Sequence, residues 1–483
     1  MKKIFMSAAV ALACSMCFAN CSDNNAAANS SGQTTPTTPT QVAQRNLTRS
    51  MDLAQTAFTN YFSGDDMRMA RFYNPYTGKT EDETASVWMY TAAIEAVNNI
   101  LEALQNIKGT NAALYQANWD KYTATLQKLY NGMEYYAGTF TLTSYTQTRQ
   151  WTVYGVNRAG APGTNDVTGV LNVYDDQQWL VHELVKSYKL TGSKAYLDKA
   201  EYLTAYVLDG WDCTLDKDGH ENGGITWGPG YISKHSCSNG PMVSPLVELY
   251  QIYKGKADNI TYRNIAADGS RQSLTTKKEK YYLDFARKVY AWQKDHLLDT
   301  SRGVYFDMCG GEGNGINYET IKGVKYRAHN GLQAPGGKAW SYNSGTMLSG
   351  CADLYRATGE AAYLADVRAL TGATFDVFAQ KDANVKGYYT YPVEGFSTWF
   401  NDVLLRGYLS AASLYNGTAG PIASYQANLD YGYEHFLYKG MLPTNLLVGW
   451  NMDKANNKTE GMFAFTYASE YAQLATNQLA NNK

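Results

Sequence analysis

The sequence predicts an all-α protein folded as an (α/α)6 barrel, a closed ring of six helical hairpins. Apolar residues recur at three- and four-residue steps along most of the chain, as they do on the buried face of a helix. A helix–turn–helix unit repeats, and the long connections fall between these units. Of the 483 residues, 45% are hydrophobic and only 18% are charged, so the chain can build one large core.

Twelve segments have helical spacing, and strand-like alternation of apolar and polar residues is scarce. In one of the longest segments, Val87, Tyr90, Ile94 and Val97 share one face. We predict helices over residues 50–62, 83–107, 111–136, 176–190, 194–208, 240–254, 277–297, 344–357, 361–378, 399–415, 424–438 and 460–475.

A weak internal repeat groups these helices into hairpins. The sequences Tyr-Lys-Leu-Thr-Gly at 188–192 and Tyr-Arg-Ala-Thr-Gly at 355–359 are each followed by a Tyr-Leu pair. The glycine suits a left-handed helix end, so each unit is a helix, a tight turn and an antiparallel helix. The links between units are long, at 211–239, 299–343 and 386–398. We expect them at one end of the barrel, because loops of this length are usually functional.

The N-terminal residues have the pattern of a bacterial lipoprotein signal peptide. Lys2 and Lys3 precede an apolar stretch, and Cys21 follows it at the start of a polar run, with Cys14 and Cys17 as alternative lipidation sites. The pattern predicts an exported protein that is lipid-anchored to the outer membrane of a Gram-negative bacterium, at its outer or periplasmic face. No later stretch of the sequence is apolar for long enough to span a membrane.

This pattern divides the chain into three parts. We predict a signal peptide over 1–21, a flexible linker over 22–46 and a single barrel domain over 47–483. The linker assignment follows from a composition rich in Ala, Ser, Thr, Pro and Asn.

Composition argues against several classes of partner. The net charge is −2 and basic clusters are missing, so nucleic acid is not expected. Four cysteines remain after Cys21, and neither they nor the six histidines have metal-ligand spacing. We predict no metal, no cofactor and a monomer. An exported location permits disulfides, and a bond between Cys213 and Cys237 stays open.

Two adjacent carboxylates, Asp175 and Asp176, begin an apolar helix and are flanked by aromatic residues. Like charges repel, so one of the two should hold its proton more tightly. A paired acid and carboxylate is the chemistry that cleaves a glycosidic bond, and 40 Tyr and 10 Trp suit sugar rings. The alternative is that the pair caps a helix. A second pair, Asp65 and Asp66, lies in a loop and is predicted to be structural.

The aspartate segment, Tyr-Asp-Asp-Gln-Gln-Trp at 174–179, resembles the signature of glycoside hydrolase family 76, whose members are α-1,6-mannanases. Further stretches resemble the family in the same order, over roughly residues 47 to 478. They are Val-Trp-Met-Tyr at 87–90, Gly-Trp-Asp at 210–212 with Gly-Gly-Ile-Thr-Trp at 223–227, Ser-Asn-Gly-Pro at 238–241, Trp-Ser-Tyr-Asn-Ser-Gly at 340–345 and Trp-Phe-Asn-Asp-Val-Leu-Leu-Arg at 399–406.

The chain departs from the family pattern at a few positions. Leu180, Ser344 and the pair Asn401-Asp402 stand where many members have Trp, Gln and Lys-Gly. These changes concern sugar subsites, because both aspartates are intact.

The resemblance implies a retaining, endo-acting α-1,6-mannanase with Asp175 as nucleophile and Asp176 as general acid/base. A retaining enzyme needs carboxyls about 5–5.5 Å apart, which adjacent residues at a helix start can reach because they point about 100° apart. The expected substrate is α-mannan or its oligosaccharides. The residues expected to bind it are Trp88, Tyr90, Tyr174, Trp179, Trp227, Asn239, Tyr342, Asn343, Phe400 and Arg406.

Each of these assignments has a structural alternative. The aromatic residues can serve helix packing, Asn239 and Asn343 can cap helices, and Arg406 can belong to an ion pair. At the level of function, the main alternative is a non-catalytic glycan-binding lipoprotein of the outer membrane, which would not need paired carboxylates. Barrels that act on acidic sugars are a further alternative, but no basic cluster is present to bind them.

Overall fold

The computed structural model describes residues 38–310 and 315–480. The helices in these ranges are α1 (Pro39–Tyr61), α2 (Val87–Ile107), α3 (Ala112–Met133), α4 (Tyr174–Thr191), α5 (Lys194–Asp209), α6 (Val243–Tyr253), α7 (Lys278–Leu297), α8 (Ser341–Thr358), α9 (Ala361–Phe378), α10 (Ser397–Ala411), α11 (Ala419–Phe436) and α12 (Gly461–Ala480). The predicted signal peptide and Cys21 lie outside the described residues.

The even-numbered helices form a closed inner ring. Each contacts the next in the order α2, α4, α6, α8, α10 and α12, and α12 returns to α2. The odd-numbered helices pack outside, with α3 on α2, α5 on α4, α7 on α6, α9 on α8, α11 on α10 and α1 on α12. The inner helices are buried on most of their surface, because both the ring and the outer layer cover them. The predicted (α/α)6 barrel is confirmed.

Tight turns join inner to outer helices at one end of the barrel. Gly192 and Gly359 end α4 and α8 with φ values of 73° and 74°, and their N–H groups donate to Tyr188 O and Tyr355 O at 2.8 and 2.7 Å. This left-handed conformation favours glycine. The connections from each outer helix to the next inner helix are long, as predicted. They lie together at the N-terminal ends of the inner helices and span residues 62–86, 134–173, 210–242, 298–340, 379–396 and 437–460.

These connections contain more strand than the sequence predicted. The strands are β1 (Phe62–Ser63), β2 (Arg68–Met69), β3 (Phe72–Asn74), β4 (Lys79–Thr80), β5 (Ala137–Thr143), β6 (Thr148–Tyr154), β7 (Lys234–His235), β8 (Asn259–Ile265), β9 (Arg271–Lys277), β10 (Leu298–Asp299), β11 (Val304–Tyr305), β12 (Met308–Cys309), β13 (Tyr318–Ile321), β14 (Val324–Arg327), β15 (Pro335–Gly336), β16 (Gln380–Lys381), β17 (Tyr389–Thr390) and β18 (Thr459–Glu460). All pairings are antiparallel. Two of the sheets have three strands, in the orders β18-β3-β4 and β15-β12-β7. The other strands form the two-stranded pairs β1-β2, β5-β6, β8-β9, β10-β11, β13-β14 and β16-β17. Most are too short or too exposed to carry an apolar alternation, so period-2 patterning missed them.

Three two-stranded hairpins meet beside the barrel. The β5-β6 turn accepts hydrogen bonds from the other two: Arg327 N–H of β14 donates to Ser144 O at 2.9 Å, and Arg263 Nε of β8 donates to Thr146 O at 3.2 Å. Arg271 of β9 donates to Glu319 of β13 at 2.5 Å. The β8-β9 hairpin, which the sequence showed only as an insertion between α6 and α7, therefore reaches the loops at the other end of the barrel.

The predicted linker is too long at its C-terminal side. Helix α1 begins at Pro39, and Thr38 forms a capping box in which its hydroxyl accepts from Gln41 N–H at 3.3 Å. Ala43 and Leu47 are fully buried. Thr-Pro-rich composition suggested a linker, but the same residues begin a helix, because Pro is favoured in the first turn and Thr at the cap.

Within residues 38–310 and 315–480, the helices lack the combination of length and apolar character that a bilayer crossing requires. Cys213, Cys237, Cys309 and Cys351 are buried free thiols. Asp66, of the second aspartate pair, accepts from Arg158 Nη2 at 2.7 Å and is structural, as predicted.

Candidate active site

Asp175 and Asp176 lie in the first turn of α4, at the end of the barrel where the long connections gather. The N-cap of this helix is Val173, whose side chain makes no capping bond. Neither aspartate is therefore the N-cap residue, and both occupy the first turn, where the structural alternative also allowed them. The helix N-terminus carries a partial positive charge that favours a carboxylate there.

Neighbouring segments fix the start of α4 in place. Tyr174 N–H donates to Trp227 O at 2.8 Å. The Gln177 side chain accepts from Tyr154 N–H at 3.1 Å and donates to Tyr154 O at 2.6 Å. Gln178 Nε2 donates to Ser238 O at 2.6 Å. The two aspartates thus stand on a helix end bound to strand β6, the Trp227 loop and the segment before α6.

Burial separates the proton affinities of the two aspartates. Burial raises the pKa of Asp175 to about 6, although hydrogen bonds from the Cys237 thiol and from the Trp227 indole, which reaches Asp175 Oδ2 at 3.4 Å, oppose that rise. Asp176 is 6% exposed, and burial together with the Asp175 charge raises its pKa well above the usual range. Asp175 can therefore be ionised near neutral pH while Asp176 keeps its proton.

Trp227, which contacts Asp175, belongs to a group of three aromatic rings. The Trp227 ring stacks on His235 with centroids 4.8 Å apart and packs against Tyr231 at 4.6 Å. Burial lowers the pKa of His235 to about 4, so this imidazole is neutral near pH 7. A flat, neutral aromatic surface borders the carboxylate.

A second aromatic cluster extends from Trp179, one turn along α4 from Asp176. Trp179 packs edge-on against Trp399 at 4.8 Å, and Trp399 packs against Trp88 at 5.2 Å. Phe400 lies parallel to Trp88, with centroids 6.0 Å apart, and contacts Tyr342 at 4.6 Å. Trp88 and Phe400 are only partly buried, which leaves ring surface for a sugar.

A third carboxylate, Asp307, belongs to the same region and was missed by the sequence reasoning. Tyr342 Oη donates to Asp307 Oδ1 at 3.4 Å, and burial raises the pKa of Asp307 to about 6 against the effect of that hydrogen bond. Only its place in the long 299–343 connection could have pointed to it. Its carboxyl can accept hydrogen bonds from sugar hydroxyls.

The structure thus gathers Trp88, Trp179, Trp227, Tyr342 and Phe400 into the two aromatic clusters next to the paired aspartates. Their contact with substrate stays a prediction.

Two predicted tyrosine contacts are corrected, because both side chains lie in the core. Tyr90 is fully buried and donates to Leu129 O at 3.1 Å. It follows Trp88 by two positions, so it points to a different side of α2. Tyr174 is 1% exposed and packs against Tyr206 at 5.0 Å.

The two predicted asparagine contacts are also corrected. Asn239 is fully buried: its Oδ1 accepts from Ile225 N–H at 2.8 Å, and its Nδ2 donates to Ile225 O at 3.0 Å and His235 O at 2.7 Å. Asn343 is fully buried and donates to Tyr305 O at 3.5 Å. Both side chains hold loop backbone rather than capping a helix or facing the cleft.

Arg406 is corrected as well, because it points along the barrel away from the aspartates. Its guanidinium pairs with Glu95 and lies 4.0 Å from Asp402 Oδ2. It lines a cavity of about 480 Å³ to which all six inner helices contribute. Arg406 is two helical turns beyond Trp399, so the ion-pair alternative describes it.

In the part of the chain that the structure describes, no group of three or more His, Cys, Asp and Glu side chains is placed to hold a metal ion.

A barrel of six helical hairpins with paired carboxylates of separated proton affinity at its aromatic-lined end has the acid and the carboxylate that a glycoside hydrolase uses. The family model of glycosyl hydrolase family 76 matches residues 162–268 and 269–482, which is more than half of the chain. The chain belongs to glycosyl hydrolase family 76.

Curated relatives carry the same family's activity in their names. The chain is 33% identical over 106 residues to the mannan endo-1,6-alpha-mannosidase DCW1 of Candida glabrata, covering 20% of each chain. It is 24% identical over 256 residues to the mannan endo-1,6-alpha-mannosidase DFG5 of Candida albicans, covering 53% of this chain and 45% of that one. The matches therefore span less than half the length of these relatives.

Solved structures share the fold over nearly the whole chain. The mannosidase Bt3792 of Bacteroides thetaiotaomicron superposes with a TM-score of 0.66 at 20% identity, over 91% of this chain and 100% of that one. The α-1,6-mannanase of Salegentibacter superposes with a TM-score of 0.58 at 18% identity, over 89% and 99%. An inactive variant of the Salegentibacter enzyme was solved with α-1,6-mannotriose.

Proposed function

We propose that this protein hydrolyses α-1,6-mannosidic bonds within mannan chains and retains the anomeric configuration. The observation that carries this proposal is the pair Asp175 and Asp176, whose proton affinities are separated in a common buried setting. Family membership and the activities for which the relatives are named support the substrate class.

The first step uses both aspartates at once. The Asp175 carboxylate attacks the anomeric carbon from one side, while Asp176 gives its proton to the glycosidic oxygen on the other. The carbon–oxygen bond to the leaving sugar breaks, and a mannosyl ester on Asp175 forms.

The second step releases the sugar. Asp176, now a carboxylate, takes a proton from water, and the water oxygen attacks the anomeric carbon. The ester bond breaks, and Asp175 is regenerated as a carboxylate. Two inversions restore the original α configuration.

The aromatic clusters supply binding. Trp227 on one side and Trp88 with Phe400 on the other offer flat faces to the apolar faces of mannose rings. Asp307 offers a hydrogen-bond acceptor for hydroxyls. Because the substrate is uncharged, a site without a cluster of basic side chains is suitable.

The deciding experiment is product analysis on linear α-1,6-mannan. Chromatography should show a ladder of oligosaccharides early in the reaction, and proton NMR should show α-anomers as the first products. Mannose as the sole early product would contradict endo action, and initial β-anomers would contradict retention. Binding to mannan without turnover would favour the non-catalytic glycan-binding alternative.

We also propose that the protein is exported and held at the outer membrane by lipid on Cys21. Lys2, Lys3 and the apolar stretch before Cys21 support this proposal. Mass spectrometry of the mature N-terminus should find an acylated cysteine at position 21. An unlipidated mature form that begins beyond Cys21 would contradict it.

A further inference from the structure

Arg327, the last residue of β14, is a buried cation that contacts the loop after Trp227. Arg327 is 2% exposed, and within the described residues its guanidinium forms no ion pair. Its Nε has no hydrogen-bond partner. A buried charge without a counter-charge is costly, so the hydrogen bonds that the guanidinium forms must offset the cost of its burial.

The guanidinium binds two backbone carbonyls of a single short loop. Nη1 donates to Pro229 O at 3.2 Å, and Nη2 donates to Tyr231 O. The guanidinium also lies 5.3 Å from the centre of the Tyr145 ring. Arg327 therefore clamps the segment 227–233 from the side of the β13-β14 hairpin.

That segment carries the indole that touches the nucleophile. Trp227 N–H donates to Ser233 O at 2.9 Å, which closes the loop, and Trp227 O accepts from Tyr174 N–H at 2.8 Å. The indole Nε1 donates to Asp175 Oδ2 at 3.4 Å. Gly228 fits against the aspartate segment so closely that a Cβ there would lie 2.4 Å from Asn172 O. Movement of the loop would therefore move the indole relative to the carboxylate.

We propose that Arg327 is a positioning residue for the reaction: by clamping the carbonyls of Pro229 and Tyr231 it holds the Trp227 indole on Asp175. The hairpin cluster supports the clamp, since Arg327 N–H is itself bound to Ser144 O of the β5-β6 turn at 2.9 Å. This inference rests on the proposed function, in which Asp175 is the nucleophile.

The clamp has a measurable consequence for Asp175. The Trp227 hydrogen bond stabilises the carboxylate and lowers its pKa, so a displaced indole should raise the pKa of Asp175. The acidic limb of the pH profile should then move to higher pH, because the nucleophile must be ionised. The titratable groups that interact with Asp175 are Asp176 on the same helix, Cys237 from the segment before α6 and Tyr342 from α8. His235 stacks on the Trp227 ring, and Asp307 accepts from Tyr342.

The experiment compares four variants with the wild type. Arg327→Met removes the clamp, Trp227→Phe removes the indole donor, and the double variant tests whether they act on the same contact. Arg263→Met is the control, because Arg263 also binds a hairpin carbonyl, that of Thr146 at 3.2 Å, whereas its hydrogen bonds go to residues outside segment 227–233.

Two readouts are taken from each variant. The first is the pH dependence of kcat/KM on α-1,6-mannan. The second is the proton–nitrogen NMR spectrum of the tryptophan indoles, in which Trp227→Phe identifies the Trp227 resonance. The second readout needs no substrate, so it tests the clamp even if the proposed function fails.

We expect Arg327→Met to shift the acidic limb of the pH profile to higher pH by as much as Trp227→Phe does. The same variant should lower kcat/KM by about 10²-fold. It should also move or broaden the Trp227 resonance. The double variant should shift the limb no further than Trp227→Phe alone, and Arg263→Met should leave both readouts unchanged. A variant that merely lost stability would show a smaller active fraction with an unshifted limb.

An unshifted limb and an unmoved Trp227 resonance in Arg327→Met would overturn the inference, as would limb shifts that add fully in the double variant. If Arg327→Met does not fold, Arg327→Lys keeps the charge but loses the two-pronged grip. The acidic limb of Arg327→Lys should then lie between the limbs of the wild type and Trp227→Phe. A wild-type limb together with a wild-type Trp227 resonance would overturn the clamp. A wild type inactive on mannan, combined with a moved resonance, would overturn the role in this reaction while establishing the clamp.

Discussion

At the scale of single residues, the two aspartates differ because of their surroundings rather than their chemistry. Both lie in the first turn of α4, yet burial holds the pKa of Asp175 at about 6 and raises that of Asp176 well above its usual range. The Trp227 hydrogen bond favours the charged form of Asp175, whereas Asp176 also feels the Asp175 charge. The environment thereby assigns the nucleophile and the acid.

Substitution of each aspartate should separate these roles. General acid–base assistance contributes about 10²–10⁴-fold, so Asp176→Asn should lose that much on mannan and less on an aryl mannoside with a good leaving group. Asp175→Asn should be inactive on both substrates, because a good leaving group does not replace a nucleophile. Initial rates on the two substrates check this. Full activity of both variants on mannan would mean that the pair has no catalytic role.

The pH profile should report the same pair. Below about pH 6 Asp175 becomes protonated, so kcat/KM should fall toward acid. Because the pKa of Asp176 is raised, its protonated form persists above neutral pH. On the alkaline side, kcat/KM should fall only when the pH passes the pKa of Asp176. The limbs belong to the coupled pair rather than to isolated groups. A profile that is flat from pH 4 to 8 would contradict the assigned proton states.

At the scale of elements, the inner helices carry different side chains at their N-terminal turns and farther along the barrel. Their N-terminal turns present Asp175, Trp88 and Phe400, whereas Glu95 and Arg406 join α2 to α10 farther along the lumen. Glu95 also accepts from Trp399 Nε1 at 3.2 Å. An arginine in the segment that resembles the family signature can therefore be structural.

Arg406→Met should mainly reduce stability. It leaves the buried Glu95 carboxylate without its partner, and breaking such a pair costs roughly 3–5 kcal/mol. Adding Glu95→Gln should restore part of this stability, because Gln removes the charge and still accepts from Trp399. Denaturant unfolding measures both effects. KM for mannan should be unchanged in folded Arg406→Met, and a large rise in KM with unchanged stability would return Arg406 to the substrate-binding residues.

At the scale of the whole molecule, the first helix completes the outer layer, since α1 packs on the last inner helix, α12. Arg45 pairs with Asp430 at 2.8 Å, and Asn46 Nδ2 donates to Gln426 Oε1 at 2.6 Å. Residues assigned to a linker by composition thus tie α1 to α11.

Two chains that differ in their starting residue should show that residues 38–46 stabilise the fold. A chain that begins at Leu47 loses the cap at Thr38, worth about 1 kcal/mol, and the Asn46 hydrogen bond, worth about 1 kcal/mol. It should therefore melt at a lower temperature than a chain that begins at Thr38. Calorimetry of both compares them directly. Identical melting temperatures would support the linker boundary at residue 46.

The sequence by itself determined the helical hairpins, the end of the barrel that carries the long connections, and the paired aspartates. Each of these is local: helical spacing, a left-handed glycine at 192 or 359, and two adjacent carboxyls are visible in short windows of chain. Tertiary structure decided which neighbours of those motifs face the cleft. Trp88 and Tyr90 are two residues apart, yet only Trp88 reaches the cleft cluster, because the ring and outer layer fix the rotation of α2. Asp307 and Arg327 had no local signal, since their roles come from contacts with Tyr342 and with the Trp227 loop, which lie far away in the sequence.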